Sequence, residues 1–301
     1  MSATGSGRID AHQHFWRPSR GDYRWLTPAI EPLFRDFEPA HLAPHLARHQ
    51  VERTVLVQAA DTIDETRFLL DVADRCGFVG AVVGWVDLER EDVPSSLAAL
   101  AAHPLFRGVR PMIQDIADPD WMLRESVQRG LDEVERLGLS FDALVRPVNL
   151  PRLLRVAERH PSLPIVIDHA AKPRVADGAA WTGRSAWRSD LAALSAQPNV
   201  SCKLSGLASE ARLDWTVADL QPFVATVMEC FGPQRTLWGS DWPVVELAGG
   251  YDRWADATTV LLADLDDDDR CAVLGGNAAR IYGIDATRTA GAASSSGTHT
   301  T

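Results

Sequence analysis

Imidazoles and carboxylates at the ends of apolar runs are the residues of this chain best suited to chemistry. The first run ends in Asp10-Ala11-His12-Gln13-His14. A later one ends in Asp168-His169-Ala170-Ala171-Lys172, and the last in Gly239-Ser240-Asp241-Trp242-Pro243. Two histidines at i and i+2 on a strand project to the same side. They bring two imidazoles together, as a metal site or a polar catalytic cluster requires. Alone, such a pair is weak evidence, because many are surface or satisfied core histidines. Asp241 lies where a barrel enzyme needs a general base, although a lone aspartate is more often a helix cap. Burying Asp168, His169 and Lys172 together is costly unless the groups pair.

Basic residues recur at the same ends. Arg110 follows Phe106–Val109, Arg146 follows Phe141–Val145, and Lys203 and Ser205 lie in the run that starts at Val200. A buried guanidinium needs partners. Arg110 therefore reads either as a group that recognises an anion or carbonyl, or as half of an ion pair, with Asp115 as a nearby acid. Lys203 and Ser205 are candidates to meet substrate hydroxyls, and Lys203 equally to pair with an acid of the sixth run. Trp16, Tyr23 and Trp25 follow the first run. They read as sugar-stacking platforms or as a packed cover for the barrel rim. Trp242 is divided in the same way between pocket wall and structural wedge.

The elements that must position these residues follow from periodicity. Apolar, β-branched runs occur at Ile9–His12, Thr54–Gln58, Val79–Val86, Phe106–Arg110, Phe141–Arg146, Pro164–Asp168, Val200–Leu204 and Thr236–Gly239. Such runs suit parallel strands buried on both faces. Helical spacing marks Glu65–Cys76, Arg124–Leu137, Leu153–His160, Asp219–Phe231 and Trp254–Leu265. Gly77, Gly138 and Gly232 are expected to close three helices with a left-handed residue. Eight strand–helix units match an α/β fold of the (β/α)₈ barrel type, one domain of ~250 residues, here over residues 8–285. The rival, a doubly wound open sheet, requires a Gly-rich loop after the first strand, and His12-Gln13-His14 stands there instead. A barrel enzyme works at the C-terminal ends of its strands, where the His, Asp, Arg and Lys residues recur.

Composition narrows the partners. The 301 residues carry 30 Lys plus Arg against 41 Asp plus Glu, a net charge of −11. No basic block offers the positive stripe that nucleic-acid binding needs. No apolar run approaches the ~20 residues of a membrane span. The N-terminus has no signal pattern, and the four cysteines form no C-x-x-C pair. Reduced thiols in a cytoplasmic protein are the expectation. Residues 1–7 and 286–301 are small and polar and are expected to be disordered ends. The basic residues, scarce overall, gather at strand ends, which suits an oxygen-rich or anionic substrate.

The segments IDAHQHFW, RGVRPMIQD, FDALVRP, IDHAAKP, VSCKLSGL, LWGSDWPV and GGNAARIYG run in this order through residues 8–284. They resemble the amidohydrolase superfamily, and within it the sugar-lactonase branch of L-fucono- and L-rhamnonolactonase type. IDHAAKP and GSDWPV are the specific motifs. The resemblance implies a (β/α)₈ barrel that opens a five- or six-membered lactone, an aldonolactone such as L-fuconolactone or L-rhamnonolactone, with that small molecule as its partner. It implies His12 and His14 at the metal or substrate face, His169 after strand 6 and Asp241 after strand 8. Metal sites of the wider superfamily take a further ligand from strand 4 or 5. Arg110 and Arg146 stand there, and arginine stays protonated and does not ligate. The set His12, His14, His169 and Asp241 suffices for one divalent ion, Zn²⁺ first, with an open position, but not for two. The branch has metal-bound and metal-independent members, so the requirement stays open. In both versions Asp241 is the expected general base. Without a metal, Arg110, then His169 and Lys172, would polarise the carbonyl. Trp16, Tyr23, Trp25, Lys172, Lys203 and Trp242 are the expected substrate contacts. The alternatives are another superfamily reaction (decarboxylation, pyrone-dicarboxylate-type lactone opening, amide hydrolysis) or a non-catalytic barrel that binds sugar acids. The missing histidine after strand 5 speaks against the zinc decarboxylases. Retention of Asp241 with all three histidines speaks against binding alone.

Overall fold

The apolar runs are strands, and they pair in chain order into one parallel sheet. They are β1 (Arg8–Gln13), β2 (Val51–Val57), β3 (Val79–Gly84), β4 (Phe106–Val109), β5 (Ser140–Ala143), β6 (Ile165–Ile167), β7 (Val200–Leu204) and β8 (Thr236–Trp238). The computed structural model describes residues 7–285. The expected loose ends, apart from Gly7, lie outside them. The seam between β8 and β1 is stitched by the Asp241 N–H donating to His12 O at 2.8 Å and the His14 N–H donating to Trp242 O at 2.7 Å. The backbone of the candidate site thus shuts the barrel. The fold is a single-domain (β/α)₈ barrel.

Helices α1 (Pro39–Arg48), α2 (Ile63–Arg75), α3 (Val93–Ala101), α4 (Glu125–Arg136), α5 (Leu150–Arg159), α6 (Arg184–Ser195), α7 (Val217–Phe231) and α8 (Gly250–Leu261) alternate with the strands. The Thr62 hydroxyl caps α2 by accepting the Glu65 N–H at 3.0 Å. Asp64 and Glu65 lie in its first turn, where the helix dipole favours acids. Gly138 and Gly232 follow α4 and α7 at φ of +67° and +63°, but Gly232 has ψ 174° and is not the expected left-handed residue. Gly77 does not close α2, which ends at Cys76 in an extended conformation. Two short helices follow, α9 (Asp267–Cys271) and α10 (Asn277–Tyr282), joined by a single π turn.

Two cores result. The larger packs the helices against the outer face of the sheet. The smaller fills the lower barrel with Ile9, Ala11, Val55, Val57, Ala81, Val83, Val166 and Leu237, and α10 closes it with Ala278 and Tyr282. All four cysteines are free thiols. Among the described residues, no helix is long and apolar enough to cross a membrane.

Candidate active site

Above the apolar plug, the barrel interior turns polar. His12 and His14 from β1, Arg110 after β4, Asp168 and His169 after β6, Lys203 on β7 and Asp241 after β8 are all buried. The register of β1 shifts between Asp10 and Gln13. Ile9 and Ala11 face the lower interior, yet His12 and His14, of opposite parity, also face inward.

Three imidazoles converge on one carboxylate oxygen. Asp241 Oδ1 lies 3.8 Å from His12 Nε2, 3.5 Å from His14 Nε2 and 3.7 Å from His169 Nε2. The His12 and His14 Nε2 atoms are 3.2 Å apart. Every opposite ring nitrogen is engaged. His14 Nδ1 meets Val57 O at 2.8 Å, His169 Nδ1 meets Ser205 Oγ at 2.9 Å, and His12 Nδ1 meets Asp168 Oδ1 at 3.3 Å. Such outer partners fix the tautomer that presents Nε2. A tetrahedral ion with metal–nitrogen bonds of ~2.0–2.1 Å separates its donors by roughly 3.3 Å, so the spacing of His12, His14 and Asp241 suits one divalent ion, with His169 Nε2 beside Asp241 Oδ1. His12, His14 and Asp241 form one compact donor group, and His12, Asp168 and His169 another.

The local backbone is built for this convergence. His169, Ala170, Ala171 and Lys172 have φ of 53°, 50°, 61° and 52°, and Asp241 has 59°. A left-handed residue other than glycine costs roughly 1–2 kcal/mol. Such strain persists where the surroundings over-determine it, often at functional sites. Gly206 has φ +64°, and a Cβ there would come within 2.7 Å of His169 Cγ. A Cβ on Gly239 would come within 2.8 Å of His12 Cβ. These two glycines let the walls close on the imidazoles.

Burial and charge set the protonation states. Burial lowers the pKa of all three imidazoles, that of His169 to about 4 against the pull of Asp241 and Asp168. They are neutral near pH 7, as ligands must be. Burial alone would raise Asp241, but His169, His14 and His12 outweigh it and hold its carboxyl well below the usual range. Burial likewise opposes ionisation of Asp168, and Lys203 and His12 outweigh it, so Asp168 is also held well below the usual range. Below the imidazoles, Lys203 Nζ lies 3.0 Å from Asp168 Oδ1 and 2.5 Å from Asp142 Oδ2. Tyr282 OH donates to Asp142 Oδ2 at 2.7 Å.

A cavity of about 520 Å³ opens beside the cluster, over the ends of β2, β3 and β4. Ala59 and Pro111 in its lining follow Gln58 and Arg110 in the chain, but the lining stops short of the imidazoles. Its walls hold Asp22, Asp61, Asp87, Glu89 and Asp115 against Arg24. The positive charge expected of the pocket is not in this lining. Arg110 and Lys203 sit below it, neutralised by buried acids.

The expected site residues divide accordingly. His12, His14, His169 and Asp241 come together. Arg110 pairs with Asp168 at 3.5 Å, not with Asp115, and it exchanges hydrogen bonds with Gln58 (Gln58 Nε2 to Arg110 O, Arg110 Nη2 to Gln58 O). Lys203 is fully buried and pairs with the sixth-strand acid, out of reach of a ligand in the cavity. Trp16 and Trp242 are buried in an aromatic cover with Phe37, both rings packing edge-on against it at centroid distances of 5.4 and 5.2 Å. Tyr23 is also buried, with its ring 6.5 Å from that of Trp16. Trp25 is the aromatic among them that lines the cavity. Lys172 is partly exposed and lies 3.9 Å from Glu210. Arg146 is exposed.

Sequence reasoning missed Gln58, Asp142, Tyr282 and Glu65. An acid inside an apolar run, as in Phe141-Asp142-Ala143, was a usable signal, because a buried carboxylate demands a partner. Glu65 hides in helix α2. Its Oε1 accepts the Ala59 N–H at 2.9 Å, and burial pushes its pKa up to about 8.

Known proteins share this architecture. The amidohydrolase family model matches residues 9–284. An L-fucono-1,5-lactonase of Burkholderia ambifaria is 48% identical over 283 residues, 92% of this chain and 96% of that protein. An L-fucono-1,5-lactonase of Burkholderia multivorans is 36% identical, over 93% and 97%. A crystal structure of a Burkholderia multivorans amidohydrolase with bound zinc superposes with a TM-score of 0.85 at 36% identity, over 92% of this chain and 99% of that one. Matched along nearly its whole length in sequence and in fold, this chain belongs to the amidohydrolase family.

Proposed function

We propose that the protein hydrolyses a sugar-acid lactone, with an aldono-1,5-lactone of the L-fucono type as its substrate and one divalent ion, Zn²⁺ first, held by His12, His14, His169 and Asp241. The observation that carries the reading is the convergence of three neutral imidazoles on an ionised carboxylate at the barrel mouth. The names of the lactonase relatives and the zinc in the related structure support it.

A divalent ion bound there would supply Lewis acidity toward a water and the lactone carbonyl. The chain's own groups do the rest. Asp241, ionised at neutral pH, takes a proton as the water oxygen attacks the carbonyl carbon. It returns that proton to the ring oxygen as the ring C–O bond breaks, leaving the open hydroxy acid. Arg110 Nε carries a buried N–H without a hydrogen-bond partner among the described residues, and it is the donor assigned to the carbonyl oxygen. Trp25 offers a face to the sugar ring. The carboxylates of the cavity accept hydrogen bonds from hydroxyls and disfavour a second anion, which points to an uncharged polyol lactone. Lys172 at the mouth is left for the carboxylate of the product.

A panel of aldonolactones followed with a pH indicator tests the proposal. Acid release above the spontaneous rate, greatest for L-fucono-1,5-lactone, is expected. No turnover of any lactone overturns it. Exhaustive chelation should abolish turnover and Zn²⁺ restore it; turnover that survives chelation removes the metal from the reading.

A further inference from the structure

We propose that Lys203 is a positioning residue: it acts on His12 through Asp168 and so sets how tightly the site holds its divalent ion. The inference rests on the metal reading above. Lys203 is a whole lysine with no exposed surface. A buried ammonium survives only among carboxylates, and here it has two, Asp142 at 2.5 Å and Asp168 at 3.0 Å. Asp142 is anchored in turn by the Ser140 hydroxyl at 2.8 Å and the Tyr282 hydroxyl at 2.7 Å. A continuous polar chain therefore runs from helix α10, under the barrel, up to His12.

The state of His12 follows from its neighbours. Its Nδ1 is 3.3 Å from Asp168 Oδ1 and 3.2 Å from Lys203 Nζ. These ask opposite things of it, since a carboxylate accepts and an ammonium donates. The far side of the ring decides between them. His12 Nε2 lies 3.4 Å from Arg110 Nη1, and a guanidinium has donors only. Nε2 therefore keeps its lone pair, and the protonated Nδ1 faces Asp168 Oδ1 at 3.3 Å. That lone pair is the one beside His14 and Asp241. Lys203 thus holds Asp168 in place beside His12 Nδ1. Charge agrees. The buried carboxylates of Asp142, Asp168 and Asp241 outnumber the cations of Arg110 and Lys203 by one, leaving a net negative interior for a cation to enter.

Groups that hold a metal ligand from behind typically change the affinity of the site by about 10–100-fold. The test measures Zn²⁺ affinity of the metal-stripped full-length protein by competition with a chromophoric chelator, and lactone kinetics at saturating Zn²⁺. Lys203→Met alone strands two buried carboxylates. It is therefore compared with Lys203→Met combined with Asp142→Asn, which preserves charge balance, and with Tyr282→Phe. The expected result is a fall in Zn²⁺ affinity of about 10–100-fold for the balanced pair and a smaller fall for Tyr282→Phe. KM at saturating Zn²⁺ should stay within about twofold, since no substrate contact is lost. Unchanged Zn²⁺ affinity in the folded pair overturns the inference and leaves the metal reading intact. A raised KM with unchanged affinity makes Lys203 a substrate contact instead. A wild type that binds no Zn²⁺ overturns the metal reading, and this inference with it.

Discussion

The lower and upper halves of the barrel interior are lined by the same eight strands and solve opposite problems. The lower half holds Val55, Val57, Ala81, Val83 and Leu237, sealed by α10. It gains its stability from apolar burial, and the Tyr282 hydroxyl of α10 is satisfied by Asp142. The upper half buries His12, Asp142, Asp168, Lys203 and Arg110, and each group is tolerable there because a neighbour compensates it. Removing one carbon side chain below leaves a void. Removing one charge above leaves its partner stranded. The apolar plug makes the polar layer possible, by fixing the strands whose ends must meet within an ångström.

Changes in the upper layer should cost function, and changes below should cost stability. The largest effect is expected for Asp241→Asn. The proposed general base is lost, and kcat should fall by ~10²–10⁴-fold while thermal unfolding shows a folded barrel. Near-normal turnover would break the contrast at its centre. Leu237→Ala tests the other side. It should cost ~2–5 kcal/mol in denaturant unfolding with kcat retained, and a comparable loss of kcat would mean that the plug and the site are not separable.

Two glycines sharpen the comparison. Gly206→Ala forces a Cβ at positive φ into the His169 ring, so turnover should drop at least tenfold. Gly138→Ala, at a positive φ with open space around it, should cost only about 1 kcal/mol and leave kinetics unchanged. The last test is Glu65, next to the upper layer. Its folded pKa is raised from 4.5 to about 8, so the folded state holds a proton that the unfolded chain gives up. That contribution is complete below about pH 4.5 and is lost as pH rises through about 8. Relative to wild type, Glu65→Gln should gain stability across this window, by at most ~1.4 kcal/mol per pH unit, and level off above it. A flat difference in unfolding free energy between about pH 5 and 8 would refute the assignment.

Much of the fold is legible because parallel strands buried on both faces must be apolar runs. Hydrophobicity alone overruns some strand ends. The apolar run Val79–Val86 continues past β3, which stops at Gly84, and from Trp85 the chain leaves the sheet to build the rim. Helices α1, α3 and α6 give no clear helical signal; α1 carries an internal proline, Pro44, which blurs its pattern. Histidine and aspartate recurring at several strand ends mark the candidate site, although each alone is weak evidence. The partners of Arg110 and Lys203 are not legible, because Asp168 and Asp142 are contributed by other strands.

The sequence by itself determined the barrel and the single domain, since periodicity is a local property of the chain, and it marked His12, His14, His169 and Asp241 as candidates by their types at strand ends. Tertiary structure alone decided the electrostatic sense of the site. The chain lists cations at strand ends, but only closure of the barrel sets each beside an acid from across the sheet. Charges act through space, so the positive groups are neutralised beneath the imidazoles and the cavity is left with acidic walls.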